Sequence, residues 1–178
     1  GTTLLTGWCN VAYCVTKGHT VDEIGRELDA EVKGQGVFVS TFVHSLDPKK
    51  RLTIPSEWRT QAGLNGLYVL PDISMKFLCV FPAIEMKQRL LRLRQHTMAD
   101  KKARDFARMI GSKSDLVAWD SQGRIRIKDD LLDLAGLADQ VTMIGNFSHF
   151  ELWNPDRYKE AGGTDQVSFE EAARYVGF

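Results

Sequence analysis

Two short stretches of the sequence place an arginine four residues after an aspartate. SLDPKKRLTIP at 45–55 contains Asp47 and Arg51, and AWDSQGRIRIK at 118–128 contains Asp120 and Arg124. Across a tight turn the two side chains can meet, and the carboxylate then fixes the guanidinium fork so that it loses less entropy on binding. An ordered arginine suits contact with a phosphate or a guanine edge. The pattern indicates anion binding, with the aspartate as orienting residue, while a purely structural role for both pairs stays open.

The usual sequence patterns of catalytic sites are missing from this chain. It has no Ser-His-Asp or Cys-His order, no glycine-rich phosphate loop and no His-x-x-His pair. The paired carboxylates of a hydrolase must converge without cationic partners, whereas Asp47 and Asp120 each have an arginine nearby. The four histidines are scattered: His19, His44, His96 and His149. We therefore expect no enzyme, no catalytic residue, no cofactor and no small-molecule substrate.

The composition is that of an ordinary globular protein. The chain has 178 residues, of which 43% are hydrophobic, enough to bury a core. It has no apolar run of the roughly 18 residues that a spanning helix needs, and its first residues do not form a signal peptide. We expect a cytoplasmic protein without a membrane partner. The three cysteines, Cys9, Cys14 and Cys79, are an odd number, which argues against a disulfide framework. Cys9 and Cys14 have no second cysteine pair or His-x-x-x-His nearby, so we expect no zinc site.

The sequence contains an internal repeat with an offset of 73 residues. The offset superposes Asp47 on Asp120 and Arg51 on Arg124, and it also aligns the tripeptide Ala-Gly-Leu at 62–64 with that at 135–137. Each copy predicts strand, turn, strand, short helix and two more strands. For the first copy the predicted ranges are 37–46, 47–50, 51–54, 56–62, 67–70 and 77–81. For the second they are a strand to Trp119, a turn at 120–123, a strand at 124–127, a helix at 129–135, and the strands VTMIG and HFELW.

A basic helical hairpin is predicted between the two copies. Apolar residues recur at helical spacing at Ala83, Met86, Leu90 and Leu93, and again at Ala103, Phe106, Ala107 and Ile110. The segment from Glu85 to Lys113 contains nine basic residues and three acidic ones, although the net charge of the chain is zero. The basic side of this hairpin is either simply exposed to solvent, or it attracts acidic partners or phosphate.

The sequence resembles the MraZ family of bacterial transcription regulators. The resemblance lies in HSLDPKKRLTIP, in LYVLP followed by FLCVFP, in WDSQGRIRI with AGL, and in VTMIGNFSHFELWNPDRY, and it covers roughly 37–160. It implies an α+β, mainly β fold in which two tandem AbrB-like swapped-hairpin units form one pseudo-twofold barrel.

The resemblance also implies a function. Such a protein would be a nucleoid-associated homo-oligomeric ring that binds double-stranded DNA at short repeated boxes before the division and cell-wall gene cluster, its own gene included. Matched to the family motif, the expected DNA contacts are Lys49, Lys50, Arg51, Gln122 and Arg124, oriented by Asp47 and Asp120. The alternative is a ring-forming protein-interaction scaffold in which the Asp-Arg pairs are only structural.

The chain departs from the family pattern at three places. Lys50 stands where the family usually has glycine, as at Gly123, so it is strained if this position needs a positive φ. Lys128 replaces the proline found at Pro55. Residues 1–36 have no counterpart in the family, and they are either a loosely ordered arm or sequence before a true start at Val37.

We expect the following domain organisation: an extension at 1–36 with a capping box at Thr20–Glu23, a first unit at 37–82, a helical hairpin at 83–113, a second unit at 114–160, and a tail with a short helix at 161–178.

Overall fold

The computed structural model describes residues 37–62, 66–97, 100–162 and 166–177. The two interpretations of residues 1–36, and the capping box within them, lie outside these ranges. The described residues form, in chain order, β1 (Thr41–Ser45), β2 (Arg51–Thr53), α1 (Ser56–Ala62), β3 (Leu67–Pro71), β4 (Leu78–Pro82), α2 (Ala83–Thr97), α3 (Lys101–Ser112), β5 (Asp115–Val117), β6 (Arg124–Arg126), α4 (Asp129–Ala135), β7 (Gln140–Asn146), β8 (His149–Trp153), α5 (Pro155–Glu160) and α6 (Gln166–Val176).

The order strand, strand, helix, strand, strand occurs twice, once before and once after the helices α2 and α3. The predicted bounds of α1 and α4 are confirmed. At the end of α4, Gly136 takes the left-handed conformation with φ 65°, and its N–H donates to the carbonyl of Asp133. A glycine tolerates this conformation without steric cost, so the helix ends where the sequence indicates.

The strands form an open six-stranded sheet and a separate two-stranded ribbon. The order in the large sheet is β1-β7-β8-β4-β3-β5, and all its pairings are antiparallel. The first strand of each half therefore joins the hairpin of the other half: β1 pairs with β7, and β5 pairs with β3. The fold is mixed α+β with a mainly antiparallel sheet.

The predicted closed barrel is wrong. Among the described strands, β1 and β5 lie at opposite edges of the large sheet and do not pair with each other. The tight turns after β1 and β5 each reverse the chain, and β2 and β6 pair with each other as a ribbon. This ribbon meets the ends of β1 and β5 through isolated bridges, one between Leu46 and Leu52 and one between Trp119 and Ile125, which do not extend into continuous ladders that would close the sheet.

The ribbon is attached to the core by its inward side chains. Leu52 and Ile125 lie opposite each other across the ribbon, and both are fully buried, as are Ile54 and Ile127 just beyond the strands. Burying one such side chain stabilises the fold by roughly 1.5–3 kcal/mol. The ribbon's outward face is therefore held on a rigid support.

Helix α1 is fixed beside the ribbon by Trp58. This side chain is 1% exposed, and its ring packs against Phe38, Phe42 and Phe150. Its indole N–H donates to the carbonyl of Val39 at 3.0 Å, which satisfies the polar atom of the buried ring. The position of α1, and of its exposed neighbours, is thus set by the core.

The two helices between the halves form the predicted hairpin. Asp100 caps α3 by accepting a hydrogen bond from the N–H of Lys102 at 2.7 Å. Met86 of α2 and Ile110 of α3 are buried. Of the helices in the part of the chain that is described, none has the length and apolar character to span a membrane.

Candidate nucleic-acid interface

Both Asp-Arg turns have the same geometry. One carboxylate oxygen of Asp47, Oδ1, accepts hydrogen bonds from the N–H groups of Lys49 and Arg51, both at 2.9 Å. Its other oxygen, Oδ2, accepts from Arg51 Nε at 2.7 Å. The predicted contact between aspartate and arginine is confirmed, and the same carboxylate also closes the turn.

The second turn repeats these contacts closely. Asp120 Oδ1 accepts from the N–H groups of Gln122 at 2.9 Å and Arg124 at 3.0 Å, and Asp120 Oδ2 accepts from Arg124 Nε at 2.8 Å. Each arginine also places Nη2 2.7 Å from the same Oδ2 oxygen of its own aspartate, so Nε and Nη2 converge on one carboxylate oxygen. Two charge-assisted contacts from one guanidinium fix the orientation of its plane.

The two pairs lie side by side, which the sequence alone does not reveal. Arg51 Nη1 is 3.5 Å from Asp120 Oδ2, and Arg124 Nη1 is 4.0 Å from Asp47 Oδ2. We call these four side chains the Asp-Arg network. It exists because β2 and β6 pair across the halves, with Thr53 opposite Arg124.

The arginines hold both carboxylates in the charged form. The side-chain hydrogen bond from Arg51 lowers the pKa of Asp47 below its usual value. The equivalent bond from Arg124 lowers the pKa of Asp120 to about 2. Hydrogen bonds that favour the ionised carboxylate act in this direction, so the network keeps its charges at neutral pH.

A third arginine, Arg126, lies on the outward face of the ribbon. It is directly opposite Arg51 in the β2–β6 register, while the next pair along the ribbon, Leu52 and Ile125, faces inward. Its Nη1 is also 3.3 Å from Asp129 Oδ1. The sequence prediction did not include Arg126, which lies beyond the turn and the motif arginine that were matched to the family. The repeat offset aligns it with Thr53, which carries no charge.

The position before each motif arginine has a left-handed backbone conformation. Lys50 has φ 58° and Gly123 has φ 76°. The predicted need for a positive φ at Lys50 is confirmed, and this residue is strained where Gly123 is not. Both backbones also join the halves, since Gly123 accepts from the N–H of Ile54 at 2.9 Å and Lys50 from that of Ile127 at 3.2 Å.

The predicted contact residues share one surface, which we call the cationic ribbon face. The outward side chains of the turns are exposed, and the two motif arginines are about a quarter exposed. The face consists of Lys49, Lys50, Arg51, Gln122, Arg124 and Arg126.

A second omitted residue, Arg59, reaches this face from helix α1. A Cβ atom placed on Gly123 would lie 2.4 Å from Arg59 Nη1 and 2.7 Å from its Cζ. The guanidinium therefore lies directly on the backbone of the second turn, and Gly123 is buried although its neighbours Ser121 and Gln122 are exposed. No sequence pattern predicts this contact, because Arg59 belongs to the other half.

Comparison with known proteins supports the resemblance found in the sequence. A family model described as "MraZ protein, putative antitoxin-like" matches residues 112–177. A protein named transcriptional regulator MraZ, from Corynebacterium jeikeium (strain K411), is 31% identical over 135 residues, which are 76% of this chain and 93% of that protein. The chain belongs to the MraZ family.

Two further MraZ relatives cover similar shares. The transcriptional regulator MraZ of Nocardioides sp. (strain ATCC BAA-499 / JS614) is 33% identical over 134 residues, 75% of this chain and 92% of its own. That of Alkaliphilus metalliredigens (strain QYMF) is 30% identical over 137 residues, 77% of this chain and 94% of its own. The matches therefore span nearly the full length of these MraZ proteins.

Titratable groups also occur away from the ribbon face within the described ranges. No cluster of three or more histidine, cysteine or acidic side chains there is placed to hold a metal ion. Burial raises the pKa of the Cys79 thiol to about 12, so this cysteine is not a nucleophile at neutral pH. Burial also lowers the pKa of His149, whose ring stacks on Phe81.

Proposed function

We propose that this MraZ family member is a sequence-specific DNA-binding transcriptional regulator that meets the duplex with its cationic ribbon face. Lys49, Lys50, Arg51, Gln122 and Arg124 are the contact residues in this proposal. Asp47 and Asp120 orient the two arginines, and Arg126 joins the contact set. The relatives named transcriptional regulators supply the regulatory part of the proposal.

The observation that carries the proposal is the cross-strand pair of Arg51 and Arg126. Like charges directly opposite each other in an antiparallel pair are unfavourable, and here Asp47 and Asp129 offset part of the repulsion. Lys49 and Lys50 add two exposed cations at the end of the same ribbon. Anions lying over the ribbon would reduce the repulsion that remains among these cations, and the phosphates of DNA are such anions.

The shape of the site also supports a duplex as the ligand. The major groove of B-form DNA is about 12 Å wide and admits a two-stranded β-ribbon. The ribbon β2–β6 projects two turns whose arginines are already fixed by carboxylates, so less entropy is lost when they bind. Arginine forks aligned in this way suit the O6 and N7 atoms of guanine.

A gel-shift experiment at several salt concentrations tests the proposal. DNA from the region upstream of the protein's own gene should bind tightly, and log K should fall linearly with log salt concentration. The variant Lys159→Ala removes an exposed cation from α5 and serves as the control, since this residue is not on the ribbon. Arg51→Ala should lose binding while Lys159→Ala keeps it. Equal binding by both variants would refute the proposal.

The protein-interaction scaffold is the second candidate, and the Asp-Arg network favours it. Each arginine is held by carboxylates from both halves, so the network could act only as a structural link. In that case Arg51→Ala should lower the melting temperature or change the oligomer while no DNA is bound by the wild type. Gel filtration and circular dichroism of the variant, together with the wild-type gel shift, separate the two functions.

The proposal includes two tandem AbrB-like units per subunit and a ring of subunits that binds repeated boxes before the division and cell-wall genes, its own gene included. One ribbon offers few cations and should bind weakly alone, whereas linked subunits gain avidity of roughly a hundredfold when the box spacing fits. Boxes should therefore be spaced by about 10 to 10.5 bp, one turn of the duplex.

Probes with 5 bp inserted between boxes test this arrangement. A rigid ring that reads one face of the duplex should bind the shifted probes much more weakly than the phased probes. Equal affinity for both would refute the rigid ring and favour independent binding by single subunits, without affecting the assignment of the ribbon face.

A further inference from the structure

The two turns of the ribbon face differ at the left-handed position, and helix α1 compensates for the difference. In the first turn this position is Lys50, an exposed cation with φ 58°. In the second it is Gly123, which has no side chain. Arg59 covers Gly123, with Nη1 2.4 Å and Cδ 2.5 Å from the place that a Cβ would occupy. Each turn therefore has one cation at this place besides its motif arginine.

The compensation is not symmetric. The repeat offset aligns Arg59 with Leu132 of helix α4, and Leu132 is 2% exposed in the core. Helix α4 thus brings no cation to the first turn, where Lys50 already supplies one. The position of Arg59 itself is fixed, because its neighbour Trp58 is anchored in the core and the N–H of Arg59 donates to Pro55 at 3.2 Å.

The guanidinium of Arg59 has an unmet requirement. Its Nε is buried and has no hydrogen-bond partner, and no carboxylate lies within 4.0 Å of this side chain among the residues described. A partly buried cation without an anionic partner is unfavourable, and such groups in native structures call for an explanation. Because Nε is enclosed by the protein, the anion of a ligand would meet the exposed part of this half-buried side chain and would balance its charge without bonding to Nε itself.

We propose that Arg59 contacts a phosphate of the DNA backbone at the second turn, as the counterpart of Lys50 at the first. This inference rests on the proposed function and assigns a residue to the same face. A phosphate is the anion expected there, because the guanidinium lies against backbone and beside the turn, where the rim of a bound duplex would pass. Phosphate contacts position the protein and carry no sequence information.

The test compares wild type, R59A and the double variant R59A/G123K in salt-dependent gel shifts. R59A should bind at least tenfold more weakly, the effect of roughly 1.5–3 kcal/mol for one charge-assisted hydrogen bond, and should lower the salt slope by about 0.9 per engaged subunit. R59A/G123K restores a cation from the turn itself, in the conformation that Lys50 already adopts, and should recover the slope. Lys159→Ala is the charge-matched control.

The outcomes are distinguishable. If the wild type binds no DNA, the proposed function fails; if it binds and R59A keeps the same slope, only the role of Arg59 fails. If the slope of log K against log salt concentration stays low in R59A/G123K, Arg59 is not the counterpart of Lys50. If R59A binds the upstream sequence more weakly but binds scrambled DNA as the wild type does, Arg59 contacts a base and not a phosphate, which would overturn the assignment.

A structural role is checked separately. If R59A does not fold, Arg59→Gln keeps the stem and polar end while removing the charge, and it should show the same loss of slope. A lower melting temperature with an unchanged slope in Arg59→Gln would mean that the side chain only packs against the turn, which overturns the proposal.

Discussion

Replacing Lys50 by glycine should stabilise the fold and weaken DNA binding at the same time. Lys50 has φ 58°, a conformation that costs an ordinary L-residue roughly 1–2 kcal/mol. Glycine avoids this strain but gains freedom in the unfolded chain, which offsets about 0.5–1 kcal/mol. The net expectation is a gain of about 0.5–1 kcal/mol in the free energy of unfolding, or about 1–4 °C in melting temperature for a chain of this size.

The binding effect has the opposite sign because the substitution also removes an exposed cation. Loss of one phosphate contact should reduce the slope of log K against log salt concentration by about 0.9 per engaged subunit. Urea unfolding at several protein concentrations measures the stability without confusion from assembly. A salt series of gel shifts on the same preparation measures the slope.

Lys49→Gly is the matched control from the same turn. Lys49 is exposed, and its backbone is not in the left-handed region. The substitution should remove the same charge and lower the slope similarly, but it should destabilise the fold by about 0.5–1 kcal/mol, since no strain is relieved. Equal stability changes for Lys49→Gly and Lys50→Gly would refute the strain assigned to Lys50. An unchanged slope in Lys50→Gly would remove this residue from the contact set.

Three further predictions concern the network and the sheet. Arg51→Ala should weaken DNA binding at least tenfold while circular dichroism and gel filtration stay unchanged, because the side chain is on the ribbon's outer face; aggregation would show a structural role instead. Hydrogen bonding lowers the pKa of Asp120 from 3.8 to about 2, so the stabilising contribution of this carboxylate is complete above pH 4 and is lost as the pH falls toward 2. Melting temperatures measured between pH 4 and pH 2 should therefore fall less steeply for Asp120→Asn than for wild type. Parallel curves for the two proteins would contradict the pairing. Gly145→Ala should destabilise the fold by about 1–3 kcal/mol, since the added Cβ would lie 2.6 Å from backbone atoms of Phe38. Gly111→Ala has open space around the added Cβ and should stabilise the fold by about 0.5–1 kcal/mol, because Gly111 lies in helix α3. Urea unfolding of both variants gives the comparison, and similar free energies of unfolding would contradict the close approach at Gly145.

Local features of the fold were predictable from the sequence because they depend on neighbouring residues. The bounds of α1 and α4 follow from short periodic segments with a glycine after each. The contact between Asp47 and Arg51 follows from a turn of fixed length, and the same holds for the second turn. The positive φ at Lys50 followed from comparison with Gly123 in the other copy.

The sequence by itself determined the repeat, the two short helices, the turns and the identity of the motif side chains, since each is set by interactions within a few residues. Only the tertiary structure decided that the halves exchange strands, that the large sheet stays open, and that the two Asp-Arg pairs meet in one network. It also placed Arg126 opposite Arg51 and Arg59 over Gly123. These contacts join residues at least 46 positions apart, and they depend on how the two halves bury Leu52 and Ile125 against each other, which no local pattern encodes.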